Sequence, residues 1–192
     1  MPAMTVVEIC EYDTTWPQQF LDIERRLRAA LGEGATRIDH IGSTSVPRLA
    51  AKDVIDVQIS VTDEPGMEAE GAKLEADGWI RGAGIRGDHL FPAADQPLRM
   101  GKIFFSEPSG HRRTNVHIRV QGWPNQRYAL LFRDYLRAHP EMAEAYARLK
   151  RHLAGLLPDD SGRYADVKDP ACDLIYLAAE QWAAAGGWAE PR

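Results

Sequence analysis

The chain has 192 residues, with 23 Lys plus Arg against 28 Asp plus Glu, a formal net charge of −5. Hydrophobic residues make up 44% and charged residues 27%, an ordinary globular composition at a length that suits one domain with a real core, here taken as residues 1–192. No run approaches the ~18 consecutive apolar residues of a membrane helix, and a mildly acidic chain without a basic run argues against tight binding to duplex nucleic acid.

The start, Met1-Pro2-Ala3-Met4-Thr5, lacks the basic-then-apolar layout of a signal peptide. Cys10 and Cys172 are the two cysteines, and their separation suits neither a disulfide framework nor a spaced thiolate metal site. A cytoplasmic location is the expectation.

The first element is a helix over 16–31. Thr15 is placed to cap it, Pro17 fits its first turn, and Phe20, Ile23, Leu27 and Leu31 repeat at helical spacing. A short strand over 37–41 stops at Gly42-Ser43. The strand over 54–61 alternates cleanly, with Ile55, Val57, Ile59 and Val61 on one face and Asp56, Gln58 and Ser60 on the other. Residues 67–77 read as a surface helix closed by Gly78, and 79–81, 102–106 and 116–120 as further strands. The Gly/Pro-rich stretch 82–97 reads as a long loop.

From Pro124 the chain turns helical. Tyr128, Leu131, Phe132 and Tyr135 form one stripe, and His139-Pro140 ends or kinks that helix. Met142, Tyr146, Leu149, Leu153 and Leu156 form the next stripe. After a loop at 159–162, Asp169-Pro170 reads as the cap and first turn of a last helix carrying Ile175, Ala179 and Trp182. The tail over 183–192 is expected to fray. The fold class is therefore α+β, α/β-like: a mixed sheet flanked by helices, with a helical C-terminal third.

Chemistry concentrates at His40-Ile41-Gly42-Ser43-Thr44-Ser45-Val46-Pro47. A strand ending in Gly-Ser before small hydroxyl residues presents N–H and hydroxyl groups to a phosphate. A plain tight turn accounts for the same residues, while Arg48 and Lys52 nearby add positive charge. Asp56 lies in an apolar strand, where an isolated carboxylate is costly to bury. It must be paired, exposed in a cleft or bound to a metal. On the strand over 116–120, His117 and Arg119 share the polar face, so an Asp56–Arg119 cross-strand pair is one reading and a mixed-charge anion site another.

Gly82 to Gly87 matches the dinucleotide glycine spacing, but Asp88, His89 and Pro92 follow it, so the strand–turn–helix context fails. Asp88 and His89 remain candidate ligands. The chain has no GxxxxGK[ST] run, no HExxH and no CxxC. Lys168 is placed to reach a phosphate or to sit as a surface lysine.

Four segments carry a resemblance: Tyr12-Asp13-Thr14-Thr15-Trp16-Pro17; the stretch from His40 through Ala50-Ala51-Lys52 to Ile55-Asp56-Val57; Asn115 to Val120; and Leu131 to Pro140, with Tyr164 and Lys168 beyond. On these the chain resembles the GrpB family, a branch of the nucleotidyltransferase-like fold. The resemblance implies that the Gly42-Ser43 pair holds nucleotide phosphates, and Thr44, Ser45, Lys52 and Lys168, read from the residues above, are candidates for the same role. It further implies a strand carrying two carboxylates one residue apart for Mg²⁺. Asp56 matches the first; the second position is Gln58, and an amide binds Mg²⁺ less well than a carboxylate does. The implied function is Mg²⁺-dependent nucleotidyl or phosphoryl transfer to a small molecule, with Asp56, His117 and Arg119 as catalytic residues and a nucleotide or small molecule as ligand. Two alternatives remain open: a non-catalytic anion- or nucleotide-binding module, and a recruited small-molecule enzyme using the His/Arg/Asp cluster without nucleotide.

Overall fold

The computed structural model describes residues 6–84, 87–88 and 100–191. The elements in chain order are α1 (Trp16–Leu31), β1 (Arg37–Ile41), a 3-10 turn (Ser43–Ser45), β2 (Ile55–Val61), α2 (Glu64–Ala76), β3 (Ile80–Arg81), β4 (Ile103–Ser106), β5 (Thr114–Val120), α3 (Pro124–Ala138), α4 (Pro140–Leu156) and α5 (Ser161–Trp182). The sheet order is β1-β2-β5-β4-β3. β2 and β5 run parallel, and the other pairs are antiparallel. The mixed sheet and helical C-terminal part agree with the sequence reading.

Period-2 alternation divides the sheet into two unlike faces. Val57 and Ile59 of β2, Val116 and Ile118 of β5, and Ile103 and Phe105 of β4 point one way into a core closed by α1 and α2. Trp16, Leu27 and Leu74, all fully buried, come from those helices. The opposite face carries Asp56, Gln58, Asn115, His117 and Arg119, in register Asp56↔Asn115 and Gln58↔His117. The helices α3, α4 and α5 pack beside that polar face around their own core, which includes Leu131, Tyr146, Ile175 and Ala179.

Several boundaries differ from expectation for identifiable reasons. α1 has its predicted span, but Thr15 makes no side-chain cap; both its N–H and its hydroxyl donate to Asp13. α2 starts earlier, at Glu64, because Asp63 caps it by accepting from Gly66 N at 2.8 Å. α5 begins at Ser161, not at Asp169-Pro170. Asp160 caps it at Arg163 N, buried Tyr164 anchors the first turn, and Pro170 is carried inside the helix at the loss of one backbone donor. The tail is docked as far as 191. Trp188 Nε1 donates to Asp134 at 2.9 Å and its ring lies under Arg127, while Gln126 donates to Glu190.

Candidate functional site

A cleft of about 490 Å³ lies between the polar sheet face and the C-terminal helices. Its floor is built by the turn after β1. Gly42 has φ 68°, and a Cβ there would sit 2.4 Å from Asp56 Oδ2. Both the left-handed backbone and the close approach of the carboxylate demand glycine. The turn is held from below by His40, whose ring stacks on Phe20 at 4.8 Å. Burial lowers the His40 pKa to about 4, so its ring is neutral and meets Thr44 Oγ1 at 3.0 Å, while Thr44 donates to Val54 O. From above, α3 fixes the carbonyls: Arg133 donates to His40 O and Arg137 to Ser45 O.

Of the residues expected at the site, Gly42, Ser43, Thr44, Lys52, Asp56, His117, Arg119 and Lys168 all border this cleft. Ser45 and Gln58 do not. Ser45 Oγ donates back to Gly42 O at 2.6 Å and closes the turn. Gln58 is fully buried, with its Nε2 donating to Gln126 O and its Oε1 accepting from Arg119 Nη1 at 2.7 Å. Arg48 is exposed outside the cleft.

The Asp56–Arg119 pair does not form. Arg119 Nε instead donates to Asp88 at 2.8 Å, and Lys102 pairs with the other oxygen of Asp88. Asn125 also donates to Asp88. Burial works against the Asp88 charge, but Arg119 and Lys102 outweigh it and hold its carboxyl well below the usual carboxylate range. Asp88 is therefore a locked ionic strut. His89 lies outside the described residues.

Asp56 keeps its side chain 28% exposed. Asn115 Nδ2 donates to its Oδ1 at 2.8 Å, and His117 Nε2 lies 4.0 Å from the same atom. Burial lowers the His117 pKa, opposed by Asp56, so the ring is neutral near pH 7. Its Nδ1 is buried without a hydrogen-bond partner.

Across the cleft stand Lys52, Lys150 and Lys168. Lys52 Nζ sits 4.1 Å above the Tyr164 ring, and burial together with Lys168 and Arg113 lowers its pKa. Burial opposes the charge of Lys168 as well, but Cys172 and Asp169 outweigh it and raise its pKa. Lys150, 3% exposed, reaches in from α4 and donates to Ser43 Oγ at 2.9 Å and to Ala50 O. Burial, reinforced by Lys168, lowers the Lys150 pKa to about 7. The Lys168 charge thus depresses both Lys52 and Lys150, and an anion bound between them would relieve that repulsion. Tyr128, Phe132 and Tyr146 supply an aromatic wall.

Lys150 was not singled out in the sequence. Its signal was present: it sits between Tyr146 and Leu153 at i+4 and i−3, a lysine on the apolar stripe of α4.

Among the described residues, no group of three or more His, Cys, Asp or Glu side chains converges as a metal cage. The second carboxylate position of a two-ion centre is Gln58, a buried amide, and the nearby Asp88 is held by Arg119 and Lys102. The donor set does not fit a resident pair of Mg²⁺ ions.

The GrpB protein family model matches residues 6–177. The chain belongs to the GrpB family. A solved structure of the conserved protein GrpB from Enterococcus faecalis superposes with a TM-score of 0.71 at 30% identity, covering 91% of this chain and 99% of that one. The Cid1 poly(U) polymerase bound to MgATP superposes at 0.51 and 14% identity, over 77% of this chain and 44% of its own. This places the GrpB-family chain in the nucleotidyltransferase-like fold. A dephospho-CoA kinase from Mycobacterium leprae is 36% identical across 92% of this chain and 47% of its own length. The UPF0157 protein YqkA of Bacillus subtilis is 34% identical across 92% and 48%. The chain thus spans about half the length of these curated relatives. No helix among the described residues is long and apolar enough to cross a membrane.

Proposed function

We propose that the cleft binds the phosphates of a nucleotide and transfers a nucleotidyl or phosphoryl group to a small molecule. The observation that carries this reading is the convergence of Ser43, Lys150, Lys168 and Lys52 on a cleft whose sheet face presents the part-exposed carboxylate of Asp56. Lysines gathered around one cleft hold a polyphosphate and offset the charge that develops on its oxygens. The aromatic wall of Tyr128, Phe132 and Tyr146 offers an apolar surface to a base or an acceptor.

Mg²⁺ enters this reading as the counter-ion of the nucleotide, with Asp56 as its protein carboxylate, in the manner of ions held by one carboxylate and substrate phosphates. His117, neutral and beside Asp56, accepts the proton of an acceptor hydroxyl. Arg119 acts through Asp88 and Gln58 as a positioning residue. The kinase name borne by relatives of twice this length does not by itself extend to this chain, which lacks a GxxxxGK[ST] phosphate loop.

A second reading, a non-catalytic anion- or nucleotide-binding module, is favoured by one observation: the second carboxylate position is Gln58, buried and engaged at both ends. A thermal-shift panel separates the two. ATP, GTP, CTP and UTP are each tested with Mg²⁺ and with a chelator, on the native protein and on Asp56→Ala. The transfer reading expects a stabilisation that needs both Mg²⁺ and Asp56. Stabilisation that survives the chelator and Asp56→Ala supports the binding module. No response to any nucleotide overturns the transfer reading and leaves, of the second, only the binding of a non-nucleotide anion.

A further inference from the structure

We propose that Ser43 and Lys150 form a nucleophile–base dyad, in which Ser43 Oγ attacks the phosphorus of a bound phosphoric ester or anhydride and Lys150 Nζ takes its proton. The proposal rests on the reading of the cleft as a phosphoryl site only for the identity of the natural substrate. The dyad itself stands on geometry.

Ser43 opens the 3-10 turn that follows Gly42 and borders the cleft. Its hydroxyl and Lys150 Nζ are 2.9 Å apart, within the reach a serine and its base require. The base is oriented by a third group, because Lys150 also donates to the carbonyl of Ala50. That carbonyl occupies one N–H, which leaves the amine lone pair of the neutral form free to face Ser43. The Ser43–Lys150–Ala50 series repeats the logic of nucleophile, base and orienting acceptor.

The surroundings of Lys150 favour the free amine. It is 3% exposed. Burial is the largest influence; Lys168 of α5 and Arg151 of its own helix oppose its charge, while Cys172 of α5 and Asp56 of β2 support it. The Tyr146 ring, 4.7 Å away, also supports the charge by cation–π attraction. The net result is a pKa of about 7, so about half of the amine is neutral at pH 7, whereas an ordinary lysine is almost wholly protonated. A lysine kept only to pin the turn would hold Ser43 and Ala50 better as an ammonium with three donors.

The Ser43 Oγ–P bond forms as the bond from phosphorus to the leaving oxygen breaks, and the electron pair leaves with that oxygen. The Ser43 proton passes to Lys150 Nζ. Lys168 and Lys52 offset the added negative charge on the phosphoryl oxygens. An acceptor hydroxyl then attacks the phosphoseryl phosphorus as the Ser43 Oγ–P bond breaks; His117 takes the acceptor's proton, and Ser43 Oγ recovers its own from Lys150.

A fluorophosphonate ester tests the dyad without any nucleotide. Here the P–F bond breaks, fluoride leaves, and Ser43 keeps the phosphonyl group. We expect mass spectrometry to find the adduct on Ser43 and on no residue of Ser43→Ala. The labelling rate should rise about tenfold between pH 6 and pH 8, the change in free amine for a midpoint near 7. Lys150→Met, and Lys150→Arg, which keeps the charge but cannot take a proton, should label at least about 100-fold more slowly. An unlabelled Ser43 in the folded native protein overturns the proposal, as does equal labelling in a folded Lys150→Met. If neither Lys150 variant folds, the native pH profile decides, and a flat profile overturns the dyad. Nucleotide stabilisation without labelling defeats the dyad alone. Labelling without nucleotide stabilisation keeps the dyad and defeats the nucleotide reading.

Discussion

Phe105 and Phe104 are neighbours on β4, yet they belong to different parts of the molecule. Phe105 is fully buried against α1 and α2, beside Val116 and Ile103. Phe104 is partly exposed on the cleft face, where its ring meets His117 edge-on at 5.4 Å. The same alternation separates Val57 from Asp56 on β2. One face of the sheet is a dry apolar layer whose free energy comes from burial. The other keeps Asp56 accessible and locks Arg119, Lys102 and Gln58 into a polar frame around it. Period-2 alternation lets one strand serve the core with one set of alternate residues and the cleft with the other, so stability and chemistry can be perturbed separately.

The strongest test of that separation is Phe105→Ala. It leaves a cavity in the closed layer and should cost about 3–5 kcal/mol in urea unfolding. A value near 1 kcal/mol would mean that the apolar layer is not where the stability resides. Next comes Asp88→Asn, which leaves Arg119 and Lys102 buried without their anion and should cost about 3 kcal/mol. The folded state holds the Asp88 carboxyl below its unfolded value through Arg119 and Lys102, against burial. Its contribution is therefore present above an unfolded pKa of about 3.9 and lost as pH falls below it. Asp88→Asn should flatten the acid limb of the stability profile between about pH 4 and pH 2.

The apolar face was readable from the chain because its evidence is local. Phe20, Ile23, Leu27 and Leu31 declare α1 by spacing, and the alternation of β2 declares which side is dry. The Gly42-Ser43 turn was equally visible. The cleft was less so, because its decisive contacts are long-range. Ser43 and Lys150 are 107 residues apart, and Arg119 and Asp88 are 31 apart. Pairing Arg119 with Asp56 was reasonable from strand pattern alone, and it failed because Asp88 arrives from a segment with no periodic signal. Pro170 misled for a related reason: local propensity marks it as a helix start, and the packing of Tyr164 and the Asp160 cap override it.

Lys150 links the two halves of the comparison, since it is a cleft residue that burdens the fold. Burial, with Lys168, lowers its pKa from 10.5 to about 7. Between these values the unfolded chain holds a proton that the folded chain does not, so stability rises with pH across the window. The slope is about 1.4 kcal/mol per pH unit at its steepest. Below pH 7 both states are protonated and the full cost of burying the charge is felt. Lys150→Met should remove this slope and stabilise the protein more at pH 6 than at pH 10. Equal gains at both pH values would show that Lys150 is not desolvated in the folded state.

The smallest stability effect is expected at Asp56, and it is the most informative about the cleft. Asp56→Asn preserves shape and retains an oxygen for Asn115 Nδ2. The native side chain is 28% exposed and faces the cleft. Unfolding free energy should change by no more than about 0.5 kcal/mol, while Mg²⁺-dependent nucleotide stabilisation disappears. A loss comparable to that of Phe105→Ala would place Asp56 in the structural frame with Asp88. The carboxylate would then be a strut for the Gly42 turn, which lies against it closely enough to exclude a Cβ, and Asp56 would not be available to hold a metal–phosphate.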